Sequence, residues 1–237
     1  MTELLVPRSF CGPPSSGNGG WTAGALAALT TGGPTVSVSL RRPPPLDTSM
    51  LVMTDGDVTT VSVDGETVAL AEPTDIEPTV VDPVSPEEAE AAEAAFPGLR
   101  SHPFPSCFVC GPERAAGDGL RIFPGPVEVD GETRYAATWT PDASLADELF
   151  PATWAALDCI GGWAGDLAER PMVLARMTAR LDTLPVVGEP HVVVAVARGQ
   201  EGRKTFTTST LYDADGRVVG CAEHLWVAIA TGEFGAV

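Results

Sequence analysis

Cys11-Gly12-Pro13 recurs as Cys110-Gly111-Pro112, and each tripeptide leads into one helical stretch followed by a run of antiparallel strands. A plan repeated in tandem restricts the chain to a fold built twice. In the first copy Asn18 reads as a helix N-cap, Gly19-Gly20 open the helix, and Leu26 and Leu29 take the core-facing spacing. Strands are expected over 35–42, 49–54, 58–63 and 66–71, with Asp64-Gly65 as a hairpin turn. In the second copy an insert around Asp130-Gly131 reads as a strand plus a hairpin. The helix is then expected over 151–168 and strands over 173–184, 191–198, 204–212 and 217–230. Setting Gly20 against Pro151 aligns Leu26 with Leu157, Thr22 with Thr153 and Ala27 with Asp158. Further on, Leu46-Asp47 matches Val187-Gly188.

This reading divides the chain into residues 1–72, a Pro/Glu-rich linker over 73–105, and residues 106–237. Within the linker, Ser85-Pro86-Glu87-Glu88 is a capping box with proline at the first helical position, and the short acidic helix reads as a connector. A hydrophobic content of 44% is ample for a core. No apolar run is long and unbroken enough to span a bilayer. MTELLVPRSF lacks the basic-then-apolar plan of a signal peptide, so a soluble cytoplasmic protein is expected. A net charge of −18 argues against nucleic acid, whose phosphates would be repelled.

Five cysteines, an odd number, do not suggest a disulfide framework. Cys107-Phe108-Val109-Cys110 is a CxxC, but no second CxxC or His pair follows at zinc spacing. It reads as small apolar residues packing at the start of a strand, and neither a metal nor a cofactor is expected.

The most informative stretch is LFPATWAALDCIGGWAG, residues 149–165, whose one formal charge is Asp158. A carboxylate among Trp154, Leu157, Ile160 and Trp163 is costly to bury, so the chain must turn it to water or use it. Gly161-Gly162 weakens the same helix and marks a kink or a close approach.

One helix followed by a long-stranded antiparallel meander is the plan of the hot-dog fold. CFVCGPERAAGDGLRIF, residues 107–123, resembles the Cys-rich strand opening of hot-dog thioesterases of the phenylacetyl-CoA thioesterase type. Those proteins carry His-Gly-Gly at the helix start and an acidic residue nine positions later. Here the signature is split: Asn18-Gly19-Gly20 stands in the first copy with Ala27 nine residues on, and Asp158 in the second with Leu149-Phe150-Pro151 before it.

The resemblance implies an α+β double hot-dog, two antiparallel sheets each wrapped round a central helix. It also implies a single composite site in which Asn18, Gly19 and Gly20 face Asp158. The opposite pairing, Pro151 with Ala27, lacks both the amide hydrogen and the proton acceptor. An amide at a helix N-terminus binds the oxyanion of an attacked thioester, and Asp158 activates water or attacks the carbonyl itself. The implied partner is an acyl-CoA or similar thioester, and a homodimer of double hot-dogs is one assembly open to such a chain. Trp21, Thr153 and Trp154, at the two helix starts, are the expected substrate contacts. Arg41, Arg42, Arg176 and Arg180, on matched strands, are candidates for coenzyme A phosphates. His102, His191 and His224 read as outside the chemistry. Two alternatives remain open: a non-catalytic hot-dog module binding an acyl or aromatic ligand, and a hot-dog dehydratase, which usually needs a histidine near the acid.

Overall fold

The computed structural model describes residues 2–230. Its first run of elements is β1 (Glu3–Leu4), α1 (Gly19–Ala27), β2 (Thr35–Leu40), β3 (Met50–Asp55), β4 (Val58–Val63) and β5 (Glu66–Pro73). After α2 (Pro86–Glu93) come β6 (Gly125–Val129), β7 (Glu132–Trp139), α3 (Leu149–Ala164), β8 (Met172–Leu181), β9 (His191–Glu201), β10 (Lys204–Tyr212) and β11 (Val218–Ala228).

The two expected sheets are one. Eleven strands pair in the order β1-β3-β4-β5-β2-β8-β11-β10-β9-β7-β6, every pair antiparallel. The join is β2 against β8, where Val36 faces Ala179, Ser37 faces Thr178 and Val38 faces Met177. Each copy alone would leave an unpaired row of backbone donors and acceptors on that strand; pairing the two edges satisfies both. Outward from the join, each copy continues with the fourth, third and second strand after its helix. The repeat is therefore real in topology as well as in sequence.

Local chemistry accounts for the elements. Asn18 Oδ1 accepts from the Trp21 N–H at 2.8 Å and so caps α1. Asp64-Gly65 and Asp130-Gly131 turn their hairpins with positive φ at all four residues, the conformation that suits a twisted hairpin. Asp47 and Gly188, matched in the repeat, both have positive φ. α1 ends at Ala27, which leaves Leu29, expected on the core-facing side, beyond its end and 40% exposed. α3 begins earlier and ends at Ala164, where the Gly165 N–H bonds back to Gly161 and Gly162 carbonyls.

α1 packs on β2, β4, β5 and β8, and α3 on β7–β11, while the two helices cross each other. Residues 73–105 do more than connect. Val193 and Ala195 of β9 belong to the helix-side core, whereas Val192, Val194 and Val196 pack with Val81, Val84 and Ala89 on the other face. The strand period of two thus places an apolar row on each face, and the Pro/Glu-rich segment covers the second. The Ser85 capping box forms as expected. Among the described residues no helix is long and apolar enough to cross a membrane.

Candidate active site

The helices cross antiparallel through glycines. A side chain on Gly20 would place its Cβ 2.4 Å from Asp158 Cβ and 2.9 Å from Ala155 Cα. One on Gly24 would meet Trp154 Cβ at 2.7 Å and Pro151 Cα at 2.8 Å. Only glycine allows the approach, and it brings the carboxyl of α3 to the first turn of α1. There the Gly20 N–H donates to Asp158 Oδ2 at 2.7 Å.

Asp158 is 2% exposed, and Oδ1 is buried with no hydrogen-bond partner. Burial disfavours the charged form and pushes the carboxyl up to about 8, against the opposing pull of the Gly20 N–H; nearby Cys107 adds to the rise. No acceptor meets the Gly19 N–H among the described residues, at the positive end of the helix.

Asp158, Asn18 and Gly19 line one cavity of about 290 Å³. Leu40, Phe104, Met172, Leu174 and Trp226 supply its apolar wall, and the exposed Arg41 and Arg42 stand at its rim. A mostly apolar recess with a few convergent polar groups is the form small-molecule sites take.

Of the expected site residues, the structure brings together Asn18, Gly19, Gly20 and Asp158. It does not bring Trp21, Thr153 or Trp154 to the cavity. Trp21 turns away from the crossing to stack on Phe10, ring centroids 4.5 Å apart. Trp154 lies one turn before Asp158 on the face against α1, buried over Gly24. Thr153 Oγ1 donates to the Leu149 carbonyl of its own helix at 2.6 Å. Arg180 is engaged by Glu77 and Asp182. His191 is buried beside Trp139, and His224 Nδ1 meets Thr207 Oγ1 at 3.1 Å. Gly161-Gly162 marks close approach: a Cβ on Gly161 would stand 2.7 Å from Thr207 Oγ1, and one on Gly162 3.1 Å from the Trp226 ring.

Three cavity residues escaped the sequence reading as a group. Cys159 arrives from α3 beside Cys107 and Cys110, which it follows by about fifty positions in the chain. The CxxC was visible; a third thiol supplied by a distant helix was not.

No protein-family model matches the chain, and neither does any curated protein. Solved structures do. An acyl-CoA thioesterase II from Mycobacterium marinum is similar over 96% of this chain and 92% of its own, at 12% identity and a TM-score of 0.59. A conserved protein of unknown function with hot dog fold from Alicyclobacillus acidocaldarius gives 96%, 92%, 13% and 0.56 in the same order. The dehydratase domain of PpsC from Mycobacterium tuberculosis, in complex with C12:1-CoA, gives 96%, 92%, 15% and 0.55. These likenesses establish the hot-dog fold. Proteins of different activity share it, so the reaction must be argued from the residues of the site.

Proposed function

We propose that the chain hydrolyses an acyl-CoA-type thioester at one composite site, with Asp158 as the base and the N-terminus of α1 as the oxyanion donor. One observation carries the reading: a buried carboxyl with an unpartnered Oδ1 lines a cavity at a helix start whose Gly19 N–H has no acceptor among the described residues. Asp158 takes a proton from water as the water oxygen bonds to the thioester carbonyl carbon. The negative charge passes to the carbonyl oxygen, where the Gly19 N–H and the helix dipole stabilise it. Collapse of the intermediate breaks the C–S bond, and the leaving sulfur takes the proton held by Asp158 to depart as the thiol, which restores the carboxylate. Arg41 at the rim is placed to meet a coenzyme A phosphate, while Arg42 beside it is paired with Glu66. A second site at the symmetry-related end is excluded in this reading, because Pro151 has no N–H and Ala27 no acceptor. Similarity in fold to a named acyl-CoA thioesterase adds support.

The second reading is a binding module without turnover. It is favoured by the Gly20 N–H, which is already engaged by Asp158 and so withheld from a substrate. A panel of acyl-CoAs with thiol release as readout separates the two. Hydrolysis of any member, lost in Asp158→Asn, supports the thioesterase; protection against unfolding without thiol release, unchanged in Asp158→Asn, overturns it.

A further inference from the structure

We propose that Cys107, Cys110 and Cys159 form a site for one zinc ion, its fourth position open to the cavity. Their Sγ atoms all lie within 4.8 Å of one another, and those of Cys107 and Cys159 are 3.8 Å apart. Tetrahedral zinc with Zn–S bonds of about 2.3 Å sets its sulfurs about 3.8 Å apart, so one edge of the site already has its holo length. All five cysteines of the chain are free thiols, so no disulfide competes for these three.

The turn that carries two of the ligands is fixed from outside the cluster. The Phe108 N–H donates to the Cys11 carbonyl at 2.7 Å, and the Ile122 N–H to the Val109 carbonyl at 2.9 Å. Gly111 closes the turn by donating to the Cys107 carbonyl, and a Cβ there would lie 2.5 Å from that oxygen. The third ligand rides on α3, held by the glycine crossing. The donors are therefore in place before any ion arrives, which lowers the ordering cost of binding.

Apolar packing alone leaves a second observation unexplained. Asn18 is buried, its Oδ1 is taken by the Trp21 N–H, and its Nδ2 points at sulfur, 3.4 Å from Cys159 Sγ and 3.8 Å from Cys107 Sγ. A neutral thiol is a weak acceptor for a buried amide, whereas a thiolate is a strong one. Buried thiolates need a cation, and among the described residues no lysine or arginine bonds to these sulfurs. Arg114 reaches Cys11 instead. The neighbouring His102 has its Nδ1 taken by the Phe104 N–H, as an acceptor and so without a proton there. A divalent thiophilic ion meets the requirement, with Asn18 as hydrogen-bond support behind the ligands. Three protein ligands leave the fourth position to solvent from the cavity that all three cysteines line. The inference uses none of the chemistry assigned to Asp158.

The test is a titration of the reduced full chain with zinc and with cobalt(II). About one ion per chain is expected, with a near-ultraviolet sulfur-to-cobalt charge-transfer band and the intense visible bands of a tetrahedral site. Zinc should displace the cobalt and erase both. Cys110→Ser and Cys159→Ser should lose the charge-transfer band, while Cys221→Ser, on β11 away from the cavity, should keep it. The wild-type spectrum decides the matter even if the serine variants do not fold. No charge-transfer band in reduced wild type, or a band unchanged in a folded Cys159→Ser variant, overturns the proposal.

Discussion

Gly20 and Asp158 stand 138 positions apart in the chain, yet the N–H of one donates to Oδ2 of the other at 2.7 Å, inside the crossing of α1 and α3. The bond orients the carboxyl and leaves Oδ1 as the one atom free to act. Asp158→Asn can keep the acceptor for Gly20 while removing the base. Turnover of any acyl-CoA substrate should fall about 10²–10⁴-fold, the usual worth of a positioned general base. Circular dichroism should be unchanged. Retained turnover in a folded variant removes Asp158 from the chemistry.

The rate should follow the carboxyl. A base held up at about 8 by burial is mostly protonated at neutral pH, and only its ionised form accepts a proton. In chelator-treated protein, kcat/KM should therefore climb as pH rises through about 8 and level off above it. At pH 6 it should stand near about 1% of the plateau. A profile already level from about pH 6 upward would mean that no such base limits the step.

What the sequence made legible was whatever depended on local pattern. Asn18 as a cap, the Asp-Gly hairpins, the Ser85 box and the repeat all rest on residues close together in the chain. Asp158 was legible because it is the one charge on a stretch that has to be buried. The single sheet was not, because the β2–β8 pairing joins edges 141 positions apart and no local signal marks which edges meet. Trp21 and Trp154 fall outside the cavity for a helical reason: one residue past Gly20 the helix has turned by about 100°, and Trp154, one turn before Asp158, stands over Gly24, further along the crossing than the cavity at the start of α1. The Pro/Glu-rich segment looked like a connector because its Val81, Val84 and Ala89 are too sparse to show a period.

Gly20→Ala probes the crossing itself. Its Cβ would lie 2.4 Å from Asp158 Cβ, too close for either helix to stay in place. Forced overpacking costs about 1–3 kcal/mol, and the shift carries Oδ2 away from the Gly20 N–H. The urea midpoint and the thioesterase rate should both fall. Gly24→Ala, one turn further along and against Trp154, should cost comparable stability while leaving the Asp158–Gly20 bond in place. Equal loss of rate in the two variants would show that helix spacing, and not this bond, sets activity.

Gly161→Ala should destabilise although alanine is the better helix former by about 1 kcal/mol. The new methyl would stand 2.7 Å from Thr207 Oγ1 and 2.8 Å from His224 Nδ1. Thr207 Oγ1 also accepts from Trp226 Nε1 at 3.1 Å, so the displacement breaks a buried network that joins α3 to β10 and β11. A net loss of about 1–3 kcal/mol in chemical denaturation is expected. A gain would mean that the sheet yields at no cost.

Stability against pH should show two buried groups working in opposite directions. Asp158 is raised from 3.8 to about 8, so its contribution to stability is present in full below 3.8 and is lost as pH rises through about 8. His224 is lowered by burial from 6.5 to about 4, so its contribution is present above 6.5 and is lost as pH falls through about 4. Between 4 and 6.5 the two slopes oppose each other. From 6.5 to 8 that opposition fades, because folded His224 is already neutral and the unfolded-state imidazole sheds the last of its proton there. Over that interval chelator-treated wild type should lose about 2 kcal/mol relative to Asp158→Asn, at about 1.4 kcal/mol per pH unit for one proton. His224→Gln should instead part from wild type only below 6.5, where it no longer resists folding at acid pH. Urea denaturation of the three proteins at a series of pH values measures both differences. Parallel curves for wild type and Asp158→Asn between 6.5 and 8 would mean that the buried carboxyl does not hold its proton through neutrality, and the rate profile expected above would go with it.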